Sequence, residues 1–177
     1  MSCSKPEVMD YMTRAGFFGK QIEKLKKIGF FEAPASKSHH LAVKGGLLLH
    51  SVNVTNNLIQ LHAFAFEESA YRVGLLHDLV KCYCYKQVGN DRYEYVQPPY
   101  PGHGVASVMI AHELGFDLTP EETAAIAWHM GAFGLDDRRL KEYDAACRRF
   151  PREVILTHAA DHLASKLESE LEGAAVR

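Results

Sequence analysis

From Val73 to Val80 the chain reads Val-Gly-Leu-Leu-His-Asp-Leu-Val, apolar on nearly every helical face apart from one histidine and one aspartate. A helix without a polar face has to lie inside a fold, with other elements packed around it. This puts His77 and Asp78 in the interior, where an ionised carboxylate without partners is very costly. Two arrangements answer that cost. Asp78 can pair with Lys81 at a helix end while His77 is hydrogen-bonded in the core. Alternatively, His77 and Asp78, about 100° apart on a helix, can both face metal ions, with Lys81 returning to their side one turn later.

The rest of the chain supplies the helices that such a core needs. From Phe18 to Phe31, Ile22, Leu25, Ile28 and Phe31 recur at spacings of three among lysines and a glutamate, which predicts an amphipathic helix. A loop follows through Glu32–Ser38. Gly45 and Gly46 then open a helix to about His62, and Glu67 and Glu68 start the one that carries His77 and Asp78. Between Tyr83 and Val96 the period changes to two, with Tyr83, Tyr85, Tyr93 and Tyr95 on either side of Gly89-Asn90-Asp91, the pattern of a β-hairpin. Pro98, Pro99 and Pro101 hold the next helix back to about His103, from where it runs to Leu114. Thr119-Pro120-Glu121-Glu122 is an N-cap, a first-turn proline and a capping glutamate, opening a helix with Trp128 and His129. A last helical region spans about Arg152 to Glu172. The expected class is all-α with a small hairpin inserted around residues 83–97. At 177 residues the chain suits one domain, residues 1–177, with N-terminal helices at about 5–31 packing on a core at about 36–166.

Composition narrows the partners. Apolar residues make up 47% and charged residues 24%, as in ordinary globular proteins, and the net charge of −2 gives no general attraction to nucleic acid or anionic membrane. The start of the chain has no apolar stretch of signal-peptide length, and no run approaches a bilayer span, so a cytoplasmic location is expected. Cys3, Cys82, Cys84 and Cys147 show no CxxC spacing and read as reduced thiols.

Ten histidines are many for this length, and several fall where a helix should face inward. His50 ends Gly-Gly-Leu-Leu-Leu-His, His103 lies between two glycines at a helix start, and His129 follows Trp128. Asp161 sits in the apolar run that begins at Val154. His158, one turn before Asp161, reads either as a support for it or as a core histidine with a backbone partner. His162 is expected to point elsewhere, and His39, His62 and His112 to lie on the surface. The hairpin tyrosines suit cross-strand packing or a lid over a nucleobase.

The phrases around His50, Leu75–Lys81, Gly102–Gly104 and Trp128–Gly131 resemble the HD-domain metal-dependent phosphohydrolases, and look like a bacterial branch of them, over about Ser36 to Lys166. The ligand order in members with two metals is H…HD…H…H…D. The resemblance implies that His50, His77, Asp78 and Asp161 hold one divalent ion and His103 and His129 a second, with Asp78 bridging. It also implies a catalytic role for Asp78 and Lys81, and a pocket that His40 and Lys37 help to line together with Lys81. One residue departs from the pattern: Val80 stands at the usual small position of HD-x-G-K.

Imidazole and carboxylate ligands suit Fe, Mn, Ni, Zn or Co. Two such ions would activate a hydroxide and grip phosphoryl oxygens. The expected function is hydrolysis of a phosphoester, a nucleotide above all, with no membrane or nucleic-acid partner. Diiron oxygenases of the family that cleave C–C or C–P bonds share the ligand order, and a regulatory module that binds metal without turnover is the third reading.

Overall fold

The computed structural model describes residues 5–38, 41–90 and 92–175. Among them are eight α-helices and one antiparallel hairpin. The helices are α1 (Lys5–Arg14), α2 (Gly19–Lys27), α3 (Gly46–Gln60), α4 (Glu67–Leu76), α5 (Gly104–Glu113), α6 (Pro120–Trp128), α7 (Asp137–Arg149) and α8 (Pro151–Ala175), and the strands are β1 (Tyr85–Gly89) and β2 (Arg92–Tyr95). The all-α class with a small hairpin holds.

α3 packs on α4 and α8, and α6 on α5, α4 and α8. Their inward faces share one apolar cluster, with Leu47, Leu58, Leu75, Leu76, Ile110 and Ile126 fully buried. The same cluster includes Val8 and Met12 of α1 and Leu25 of α2, so the N-terminal helices rest directly on this core. Two glycines set how closely the helices approach. A Cβ on Gly74 would lie 2.2 Å from Thr55 Oγ1, and one on Gly104 would lie 2.4 Å from the Ala127 carbonyl oxygen. These contacts draw α4 against α3 and α5 against α6, and with them the ends that carry His77, His103 and His129. Among the described residues, no helix is long and apolar enough to cross a membrane.

Three elements differ from the expectation. The helix that should carry His77 and Asp78 through Val80 stops at Leu76, and a 3₁₀ turn follows at Leu79–Tyr83. His77 is the C-cap of that helix, and the backbone departs from it at Asp78. The His77 ring Nδ1 bonds the Gly74 carbonyl at 2.9 Å, the group that the Asp78 N–H would use in a continuing helix. Tyr83 therefore belongs to that turn, edge-on to the Tyr100 ring with centroids 5.5 Å apart, and not to the hairpin. The hairpin proper pairs Tyr85 with Tyr95 and Gln87 with Tyr93.

The region before α8 is helical too. α7 is rich in charged residues around a narrow apolar stripe of Leu140, Tyr143 and Cys147, buries no residue fully and is capped by the Asp136 side chain, which accepts from the Arg139 N–H. It is held by contact with α8, by Tyr143 against Trp128 and by Arg139 over the Trp128 ring. A polar helix of this kind lacks the broad apolar face by which a core helix is read from sequence. Phe150 alone separates it from α8, which starts at Pro151.

Candidate metal centre

The ends of α4 and α6 use the same device. His129, at the C-terminus of α6, bonds the Ile126 carbonyl through Nδ1 at 2.7 Å, as His77 bonds Gly74. A carbonyl only accepts, so Nδ1 carries the proton in both rings and Nε2 is left to face the interior. Both Nε2 atoms are buried and make no hydrogen bond. Buried polar atoms in this state mark a site shaped for something else.

Asp78 stands between these rings, nearly fully buried. Its two oxygens face different groups. Oδ2 lies 3.3 Å from His77 Nε2, 3.7 Å from His50 Nε2 and 2.7 Å from Lys81 Nζ. Oδ1 lies 2.6 Å from His103 Nε2 and 3.5 Å from His129 Nε2. Asp161, from α8, completes the first side, 3.1 Å from His50 Nε2 and 4.0 Å from His77 Nε2. Two ligand triads result, His50 with His77 and Asp161, and His77 with Asp78 and His129, each with its ligand atoms within 4.8 Å of one another. His103, at the start of α5, joins through Asp78. The donors are of the kind that holds a divalent metal, and their close packing fits one.

Electrostatics follow from this crowding. Burial alone would raise the Asp78 carboxyl, yet Lys81, His77 and His103 hold it well below the usual carboxylate range. Burial opposes the charged form of Asp161 as well, and the bond to His50 with the charges of His77 and His129 lowers it. Burial works against the His50 imidazolium, but bonds to Asp161 and Glu168 outweigh it and bring the ring to about 9. His129 is raised against the same burial by Asp78, whereas burial prevails at His77 and lowers it. Burial disfavours the Lys81 ammonium and Asp78 more than restores it. The ionised carboxylates thus favour protons on His50 and His129. A divalent cation would replace those protons.

Glu168 is a member of this cluster that sequence reading passed over. It is buried on α8, two turns beyond Asp161, and bonds His50 Nδ1 at 3.0 Å while accepting from Asn53 Nδ2 at 2.8 Å. It holds the His50 ring with Nε2 towards Asp78 and Asp161. The spacing of seven from Asp161 was the signal, because both carboxylates then lie on one helix face. Glu168→Gln is expected to lower metal affinity about 10–100-fold, the usual cost of losing a carboxylate behind a ligand histidine, with little change in helix content. Titration calorimetry beside circular dichroism checks this, and unchanged affinity would remove Glu168 from the site.

The centre opens into a cavity of about 470 Å³ with Asp78, Lys81, His103 and Asp161 at its floor. Its outer wall carries Met130, Phe133, His158, His162 and Ser165. His158 takes up the backbone-partnered position, its Nδ1 bonding the His129 carbonyl at 2.8 Å. His162 differs from expectation: it borders this cavity, its ring 6.3 Å from that of His158, because residues four apart on α8 share a face. His62 and His112 are exposed. Lys37 is exposed and is not among the described residues that line the cavity, and His39 and His40 lie outside the described residues. Cys82, Cys84 and Cys147 are free thiols.

Comparison with known proteins agrees with this geometry at one level. A family model described as HD domain matches residues 47–166, more than half of the chain and the stretch that holds all six His and Asp candidates. No curated protein and no solved structure matches. HD domains bind divalent metals and go with metal-dependent hydrolase activity in general. A chain with these histidines and aspartates in this order, brought together from α3, α8 and the ends of α4, α5 and α6, belongs to the HD-domain family of metal-dependent phosphohydrolases.

Proposed function

We propose that this protein hydrolyses a small phosphoester, a nucleotide being the class it suits best, with two divalent ions held by six side chains. His50, His77, Asp78 and Asp161 would hold one ion, His103 and His129 the other, and Asp78 would reach both. The observation that carries this reading is the division of Asp78: Oδ2 faces His50 and His77, and Oδ1 faces His103 and His129. Fe, Mn, Ni, Zn and Co all suit the donor set.

When bound, divalent ions in such a centre supply Lewis-acid charge and lower the pKa of water at neutral pH. The chain's own residues supply the rest. The backbone carbonyls behind His77 and His129 and the carboxylate behind His50 hold each ring in one orientation. Lys81 lies on the cavity floor beside Asp78, where its ammonium can neutralise a phosphoryl oxygen or the departing alkoxide. The overall charge of −2 attracts no anion, so the recognition of a phosphate has to be local, and Lys81 is the cation placed for it. This basic group favours hydrolysis over the oxygenase reading.

The test is to purify the protein without chelators, load it with each candidate metal, count ions and assay a panel of phosphoesters. Metal-dependent release of phosphate or of a nucleotide is expected. Lys81→Ala should lower turnover on the order of 10²-fold while metal content stays the same. Oxygen uptake by the reduced iron form with a small organic substrate, and inactivity on every phosphoester, would overturn the hydrolase in favour of the oxygenase.

A further inference from the structure

The cavity above the candidate centre is not the only cleft that reaches it. A second, of about 290 Å³, lies against the hairpin and is lined by Val80, Tyr85, Tyr95, Gln97, Tyr100 and also His103. His103 therefore borders both clefts, and its Nε2 is 2.6 Å from Asp78 Oδ1.

Each cleft has its own chemistry. In the first, Phe133 stands 89% exposed and Met130 44% exposed beside His158 and His162, so a large apolar surface is left in solvent at the edge of a polar floor. In the second, Tyr85 and Tyr95 form a cross-strand aromatic wall, ring centroids 6.4 Å apart at 73°, and the Gln97 amide, whose Oε1 accepts from the Tyr95 hydroxyl at 3.4 Å, offers its N–H donors and a second lone pair. Val80 is buried and lines this second cleft, which gives the departure from HD-x-G-K a local purpose. The first volume lies in the lower part of the range for small-molecule sites, roughly 300–1,000 Å³, and the second at about its lower limit, so each suits a small arm and not a polymer.

We infer that the substrate is a phosphodiester with two small organic arms, one against Phe133 and the other, a planar ring, in the tyrosine cleft, with the phosphoryl group between them beside His103. A monoester has one arm and would leave one built cleft unused. Stacking on an aromatic face tolerates many rings, and the edge of the ring would be read by Gln97. The inference rests on the phosphoester reading above and narrows it.

Two measurements on the manganese-loaded full chain test it. The first compares bis(p-nitrophenyl) phosphate with p-nitrophenyl phosphate. A kcat/KM at least about tenfold higher for the diester is expected, and preference for the monoester would overturn the inference. The second is calorimetric binding of a dinucleoside phosphorothioate to the wild type, Tyr95→Ala and Phe133→Ala, which reads the site whether or not turnover occurs. Both side chains are exposed, so both variants should keep the wild-type melting temperature. Each should weaken binding about tenfold, the typical effect of one lost stacking face. No binding to the wild type, or loss in one variant only, would overturn the two-armed site. Dual loss of binding with no turnover of either ester would leave the two-armed site standing and reject the hydrolase instead.

Discussion

Asp78→Ala is expected to empty the centre: metal analysis should fall from about two ions per chain to none, and phosphoester turnover by at least about 10³-fold. Asp78 lies within 4 Å of His50, His77, His103, His129 and Lys81, so its removal strips both sides at once. A structural cost should accompany the chemical one. Lys81 would stay buried without its 2.7 Å partner, and breaking a buried pair by deleting one member costs about 3–5 kcal/mol. Denaturant unfolding of metal-free variant and metal-free wild type measures that cost free of any ligand contribution. Asp78→Asn, which keeps the shape, should keep more of the stability and still bind little metal. A variant that retains two ions would show that Asp78 is only the partner of Lys81 at a helix end.

His129→Ala should separate the two sides. His129 faces Oδ1 of Asp78 at 3.5 Å, and its loss leaves His50, His77, Asp161 and Oδ2 of Asp78 in place. About one ion should remain, with activity reduced on the order of 10²-fold because one ion cannot support both halves of the reaction. Elemental analysis on the folded variant gives the count. Two ions with full activity would make His129 a core residue beside Trp128 and the site a one-metal centre. Complete loss of metal would place His129 on the ion that His50 and Asp161 are assigned here.

The helices with broad apolar faces could be read from the chain because the burial of a face leaves a period in the residues themselves, as in Ile22 and Leu25 of α2 and Ile28 at its C-cap. The capping box at Thr119 and Glu122 marked the start of α6 for a similar reason: its bonds are local, with the Glu122 N–H donating to Thr119 Oγ1 at 3.2 Å. α7 left a fainter trace: Leu140, Tyr143 and Cys147 recur at helical spacing and Asp136 is a local cap, but the stripe is narrow among many charges. What holds the helix in place is its contact with Trp128 and α8, a matter of arrangement and not of composition. The break at His77 was hidden for another reason. The apolar run continues through it, while the backbone leaves the helical region at Asp78 with the His77 ring bonded to the Gly74 carbonyl.

What the chain determined by itself was the helical class, the residues sent inward and, through the order of His50, His77-Asp78, His103, His129 and Asp161, the candidates for a metal. Burial and spacing are local properties, written into a sequence one element at a time. Tertiary structure decided which buried groups meet: Glu168 with His50 across 118 positions, His162 at the cavity wall, and each oxygen of Asp78 with its own pair of imidazoles. Those meetings depend on how closely α3, α4, α5 and α6 approach at Gly74 and Gly104 and on where each helix ends. A shift of one turn moves a side chain by about 5.4 Å, more than the whole spread of either ligand triad, and no periodicity within one helix contains that information.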